Sequence, residues 1–278
     1  MLIWTYWDSD NDSDIPRLVS ACMKSWKQHA GDHVITMIRP SGIKTHIRRD
    51  VPKEFVNWKP QFKADWIRLA VLSEHGGIWL DASILITRDL GYIHEKQRWM
   101  RAPVYGYHLD GYTVDGNFPV FENWLIAAVR DSATINAWFA ETEFAFTRFA
   151  NDSDKEDLYD RYLQEKFGMD VYLQLKQKID ISGYLKMHMA LQKIMQIDGA
   201  PVPRSDAAEF YPNGPYTYVY ENKWEMKKSM QKLMKKATQE FYPIYKFNGY
   251  SRIVLEELLK EGEIIEEGSL LGKYFHSQ

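Results

Sequence analysis

"FKADWIRLAVLSEHGGIWLDASILI", Phe62–Ile86, decides how this chain is read. Its first part is helical: Phe62, Trp66, Leu69 and Ala70 recur at the spacing that makes an apolar stripe. Gly76 and Gly77 stop that helix. The residues after the glycine pair alternate as a strand would, with Ile78, Leu80, Ala82, Ile84 and Ile86 on one face and Trp79, Asp81, Ser83 and Leu85 on the other. Asp81 and Ser83 are therefore co-facial wherever the segment stays extended. A carboxylate inside such a strand is costly to bury without a partner. Two readings stay open: Asp81 is satisfied by backbone N–H groups at a strand end, or it faces a ligand or cation at the carboxyl ends of the strands, where open α/β sheets bind ligands. Asp65 and Arg68, three residues apart, are neighbours on one helix face, either as a surface ion pair or as a pair aimed at a ligand.

Working outward, "LIWTYW" (Leu2–Trp7) reads as a buried aromatic strand closed by the acidic loop "DSDNDSD". Ser13 or Asp14 is expected to cap the next helix, "RLVSACMKSWKQHA", with Pro16 in its first turn and Gly31 at its end. "HVITMIRP" is a second strand, halted by Pro40. Strand, helix, strand is a βαβ unit, so the class is α/β. Downstream, "RAPVYGYHLDGYTVDGN" (Arg101–Asn117) reads as turns and short strands. "FENWLIAAVRDSATINAWFAETEFAF" (Phe121–Phe146) reads as a helical region starting near Glu122–Trp124. "NDSDKED" (Asn151–Asp157) is a polar break between subregions. Helices are expected over Leu158–Phe167, Val171–Ile179 and Tyr184–Ile197, followed by a Pro/Gly-rich loop region, a basic helix in "NKWEMKKSMQKLMKK", a short strand in "PIYKFNGYSR" and a final helix in "RIVLEELLKEG".

Composition removes several function classes. The 278 residues are 45% hydrophobic, enough for a sizeable core. A net charge of -3 argues against a dedicated nucleic-acid binder. The single cysteine, Cys22, allows no intramolecular disulfide, as expected in a reducing compartment. No signal-peptide pattern opens the sequence and no apolar run reaches about 20 residues, so a cytoplasmic protein without a membrane span is expected. No zinc-spaced Cys/His cluster, P-loop, G-x-G-x-x-G or G-x-S-x-G occurs, which sets aside the commonest ATPase, dehydrogenase and hydrolase readings. The eight histidines are scattered.

Phe62–Ile84 resembles the sugar-binding, DXD-motif region of glycosyltransferase family 32, in particular its capsular polysaccharide synthesis branch. The pattern is an acid, an Arg three residues on, an apolar helix, Gly-Gly, an aromatic and an Asp-x-Asp variant: here Asp65, Arg68, Gly76, Gly77, Trp79 and Asp81. "IWTYW", "IPRLVSACMKSWKQH", "ENWLIAA" and "YKFNGYSR" resemble further family segments in the same order, so the likeness covers most of the chain. It implies a GT-A fold, a Rossmann-like α/β sandwich with a mixed sheet and added helices, as one domain: residues 1–150 form the nucleotide-sugar core and 151–278 carry helical additions and a donor-closing region. It implies a retaining hexosyltransferase that uses a nucleotide-sugar, by family habit a UDP-sugar, with a capsule or O-antigen intermediate as acceptor. Trp4, Tyr6 or Trp7 would stack on the base. Asp65, Arg68 and Lys246 would hold sugar and diphosphate, with Gly76 and Gly77 turning the backbone close to the donor and Trp79 packing beside it. Asp81 would approach the ribose or a divalent cation, Mn²⁺ or Mg²⁺, that neutralises the leaving diphosphate. The second acid of the motif is Ser83 here, a weaker metal ligand than a carboxylate, so His276 or Asn248 is expected to help complete the shell.

Asp110, Asn123 and Trp124 are the expected acceptor contacts, and Asp110, Asp115 and Glu122 the acids expected to assist the acceptor hydroxyl. A front-face mechanism, in which a diphosphate oxygen takes the acceptor proton, would explain the lack of an obvious base. The helix containing Trp224, Met226, Met230, Leu233 and Met234 opposite Lys227, Lys228, Lys232, Lys235 and Lys236 either rests on an anionic membrane, as a lipid-linked acceptor would favour, or is an ordinary helix with its apolar face in the core. Two other readings stand beside the transferase: a non-catalytic sugar- or nucleotide-binding module on a degenerate scaffold, which Ser83 favours, and a nucleotide-sugar hydrolase.

Overall fold

The computed structural model describes residues 2–149, 157–209, 214–235 and 242–276. Six strands form the central sheet: β1 (Leu2–Tyr6), β2 (Val34–Ile38), β3 (Gly77–Leu80), β5 (Val104–His108), β6 (Phe121–Ala128) and β7 (Arg204–Ala207), in the order β2-β1-β3-β6-β5-β7. β1 runs parallel to β2 and β3, and β7 parallel to β5, while β6 is antiparallel to both β3 and β5. The α/β class and mixed sheet agree with the sequence reading. Residues alternate between two apolar layers: Ile3, Ile78 and Leu80 face the layer with Trp26 of helix Arg17–His29, and Trp4, Tyr6 and Trp79 face helices Pro60–His75, Ala133–Arg148 and Lys186–Gln196.

Several expectations need correction. "FENWLIAA" is strand β6, not helix; its neighbours bury both of its faces and leave no alternation to mark it. Helix Pro60–His75 is buried from Asp65 through Ser73 rather than along one stripe, because it lies between the sheet and helix Ala133–Arg148. Neither Ser13 nor Asp14 caps helix Arg17–His29; its N-cap is Pro16, and Asn11 caps a short turn instead. β7 lies inside the expected Pro/Gly-rich loop. The break at Asn151–Asp157 falls outside the described residues except for Asp157, which caps helix Leu158–Phe167.

The strand after the glycine pair is broken in two. β3 ends at Leu80, a turn follows, and β4 (Ile84–Ile86) leaves the central sheet to pair antiparallel with β8 (Ile244–Lys246). That pairing sets Lys246 opposite Ile84 and brings the late segment to the end of β3. A second core beneath it joins Cys22 and Leu18 to Leu85, Tyr245, Met230 and Leu255. Met230, Leu233 and Met234 of helix Met226–Met234 are buried there, with Met226 partly buried against the same core, while Trp224 before the helix is exposed. Among the described residues no helix is long and apolar enough to cross a membrane.

The two glycines have structural tasks. Gly76 ends its helix at φ +67°, and an added Cβ would lie 2.6 Å from the backbone nitrogen of Arg130. Gly77 sits at φ +100°, and a Cβ there would lie 2.5 Å from the carbonyl oxygen of Leu2. They permit the close approach of β3 to β1 and to the residues after β6, and neither lines the cavity described below.

Candidate functional site

The chain runs from β1 to β2 on one side of the sheet and returns to β3 on the other side of β1. The carboxyl ends of β1 and β3 therefore flank a topological switch point, where open α/β sheets bind ligands. A cavity of about 790 Å³ opens there. β1 contributes Tyr6 and the following Trp7, and the turn after β3 contributes Asp81. Helix Pro60–His75 contributes Asp65 and Arg68, and β6 contributes Glu122, Asn123 and Trp124. Tyr184 and His188 enter from the start of helix Lys186–Gln196, Tyr216 from a loop, and Lys246 and Arg252 from β8 and the helix after it.

Asp81 is the hub. Its Oδ1 accepts from Arg68 Nη2 at 2.9 Å and from Trp79 Nε1 at 2.9 Å, and its Oδ2 accepts from Lys246 Nζ at 2.9 Å. Burial alone would raise its pKa, but the positive charges of Lys246 and Arg68 outweigh burial and hold the carboxyl below the usual carboxylate range. Of the two readings of Asp81, the backbone-satisfied one fails, because cationic side chains and an indole N–H are what hold this carboxylate. Arg68 also donates to Asp65 and lies 4.9 Å from the centre of the Trp79 ring. Asp65 Oδ1 accepts a second bond from Asn123 Nδ2 at 3.0 Å. Burial pushes Asp65 up to about 6 against the pull of Arg68. The i,i+3 pair is thus no surface ion pair; it is the buried floor of the cavity, joined through Arg68 to Asp81.

Glu122 is buried and accepts from the Tyr216 hydroxyl at 3.1 Å. Burial pushes it up to about 7, with Lys246 among the groups that oppose the rise. His188 is buried, and neither ring nitrogen has a hydrogen-bond partner. Burial, with Arg68 adding to it, lowers His188 to about 3, so the ring beside the cavity is neutral and carries one donor and one acceptor. Sequence reasoning missed His188, Tyr184, Tyr216 and Arg252, which carry no local pattern.

Other expected site residues lie elsewhere. Trp4 is a core residue whose Nε1 donates to the Gly76 carbonyl, so it is not placed to stack on a base. Asp110 accepts from the backbone N–H groups of Ala208 and Glu209, and Asp115 from Asn117; neither lines the cavity. His276 contacts the Ile265 carbonyl through Nε2, away from the cavity. Asn248 reaches the wall, but its side chain caps helix Gly249–Lys260. Trp124 lines the cavity with its ring stacked on Tyr107, centroids 5.1 Å apart.

The donor set does not match the expected cation shell. Ser83 lines the same cavity as Asp81, and its hydroxyl donates to the Phe247 carbonyl at 2.8 Å, tying the turn to the residue after β8. Both oxygens of Asp81 already meet positively charged side chains. Among the described residues no three His, Cys, Asp or Glu side chains stand together as metal ligands.

Residues 1–248 match the family model described as "Capsular polysaccharide synthesis protein". No curated protein matches the sequence. Among solved structures, the PaToxG glycosyltransferase aligns at TM-score 0.35 and 16% identity, over 71% of this chain and 69% of its own. The apo-form glycosyltransferase GlyE of Streptococcus pneumoniae TIGR4 aligns at TM-score 0.40 and 13% identity; 94% of this chain is covered, but only 63% of GlyE.

Proposed function

The chain belongs to the capsular polysaccharide synthesis protein family, and from that membership and the chemistry of the cavity we propose that it is a glycosyltransferase. It moves a hexose, with retention, from a nucleoside diphosphate sugar, UDP by preference, to a hydroxyl of a surface-polysaccharide intermediate. The observation that carries this reading is the Asp65–Arg68–Asp81–Lys246 network on the wall of a cavity at the strand switch point. A cavity of this volume suits a ligand of nucleotide-sugar size.

The residues divide the work by their chemistry. Trp7, at the end of β1, offers a ring for the base. Asp65 and His188 meet sugar hydroxyls: the carboxylate accepts, and the neutral imidazole both donates and accepts. Negative charge grows on the diphosphate as the glycosidic bond breaks. Lys246, Arg68 and Arg252 are preplaced positive charges that stabilise it. Glu122, Asn123 and Trp124 border the acceptor side. A leaving diphosphate oxygen takes the acceptor proton, and Glu122, with its carboxyl poised near neutrality, is the side chain suited to relay it. A second reading, a non-catalytic binding module, is favoured by Ser83, which has given its hydroxyl to the fold.

Thermal unfolding against a panel of nucleotide-sugars tests the proposal, because a ligand that binds only the folded state raises the midpoint by mass action. The expected result is a rise with one donor and turnover of that donor once glycan is added. A rise without turnover supports the binding module. No rise with any donor refutes both.

A further inference from the structure

Resting on the donor reading above, we infer that this chain binds the diphosphate of its donor without a divalent cation, and that Lys246 and Arg252 take the place of the metal. Mg²⁺ and Mn²⁺ need hard oxygen ligands, usually one or two carboxylates completed by phosphate and water. The position where the second acid of the motif would stand is Ser83, a neutral hydroxyl that brings no charge for a cation and is oriented by its bond to the Phe247 carbonyl. The remaining acid, Asp81, has Lys246 on one oxygen and Arg68 on the other. A divalent cation arriving at Asp81 must displace the Lys246 ammonium or lie against it, like charge beside like charge. Asp65 is nearly buried and its Oδ1 is held by Arg68 and Asn123, which leaves one carboxylate oxygen beside the Arg68 guanidinium, too few oxygens for a cation shell.

The same geometry supplies the positive charge that a metal would bring. Strand pairing with β4 fixes Lys246, and its side chain is only 11% exposed, so the ammonium is positioned before any ligand arrives. Among the described residues its ammonium has one hydrogen bond, to Asp81, which leaves two of its three N–H groups for phosphate oxygens. Arg252 stands on the cavity wall with its guanidinium 5.7 Å from the centre of the Trp7 ring, and it forms no ion pair or hydrogen bond with any described side chain. A guanidinium with its donors unspent, next to an aromatic ring suited to a base, is placed for two-point phosphate recognition. Asp81 then has a task that needs no metal: it holds Lys246 and Arg68 apart and in position.

Isothermal titration tests this with three probes, UDP, GDP and inorganic pyrophosphate, each in EDTA and again in Mn²⁺. The protein variants are wild type, Lys246→Met and Arg252→Gln. At least one probe is expected to bind wild type with an affinity that changes less than about threefold between the two conditions. Arg252→Gln, a change at a half-buried side chain with no hydrogen bond or ion pair to any described side chain, is expected to weaken that binding about tenfold or more, the worth of a charge-assisted bond. Lys246→Met should weaken it further; if that variant fails to fold, Arg252→Gln carries the test alone. Binding that appears with Mn²⁺ and vanishes in EDTA overturns this inference and leaves the donor reading intact. Metal-free binding that Arg252→Gln leaves unchanged also overturns it. Absence of binding by all three probes under both conditions overturns the donor reading and this inference together.

Discussion

Glu122→Gln isolates the energetic cost of one buried carboxyl. The substitution keeps the side-chain volume and an oxygen for the Tyr216 hydroxyl, but it removes the titrating group. Burial raises Glu122 from 4.5 to about 7. At roughly 1.4 kcal/mol for each tenfold change in proton affinity, ionising it inside the fold costs about 3 kcal/mol. The sign follows from the direction of the shift. Below the unfolded value the group is protonated in both states and costs nothing. As pH rises towards 7 the unfolded chain releases the proton and the folded chain keeps it, so the fold loses stability relative to the variant. Above about 7 the penalty is complete. Urea unfolding of both proteins from about pH 5 to about pH 8 should show Glu122→Gln gaining about 2 to 3 kcal/mol over wild type across that range. A difference that stays flat across it would refute the assignment of a buried, proton-retaining carboxyl at this position.

Other outcomes follow from the same geometry. Gly77→Ala puts a side chain at φ +100° and 2.5 Å from the Leu2 carbonyl; it should lower unfolding stability by at least about 2 kcal/mol, read from the urea midpoint at unchanged slope. Asp81→Asn weakens the hold on Lys246 and Arg68 and should abolish sugar transfer. It should also cost about 2 kcal/mol of stability, less than a fully buried pair because about a quarter of the carboxylate is exposed. His188→Phe removes two nitrogens that have no partner in the fold; stability should hold or rise, while KM for the donor rises about tenfold or more, and an unchanged KM would remove His188 from the sugar site.

The first βαβ unit and the helix–glycine–strand passage were legible because their patterns are local. Periodicity marks Pro60–His75, and the glycine pair marks its end. Asp65 and Arg68 could be paired because one helix turn separates them, and the resemblance joined Asp81 to them. β6 read as helix because "FENWLIAA" is apolar on both faces and contains alanines, and periodicity cannot separate a doubly buried strand from a buried helix. The partnership of Lys246 with Asp81 spans 165 residues and depends on the β4–β8 pairing; the resemblance pointed to Lys246 as a donor contact but not to this pairing. His188 and Arg252 reach the cavity from helices far along the chain, and nothing beside them in sequence marks either. Trp4 and Trp7 share one aromatic segment, but Trp4 lies in the core and Trp7 lies past the end of β1 at the cavity, a difference that composition cannot show.

The most direct measurement is a crystal structure of the protein with the donor that raises its unfolding midpoint. The account predicts electron density in the cavity between Trp7 and His188, with the sugar against Asp65 and His188 and the diphosphate against Lys246, Arg68 and Arg252. A donor bound elsewhere on the protein, with that cavity empty, would contradict it.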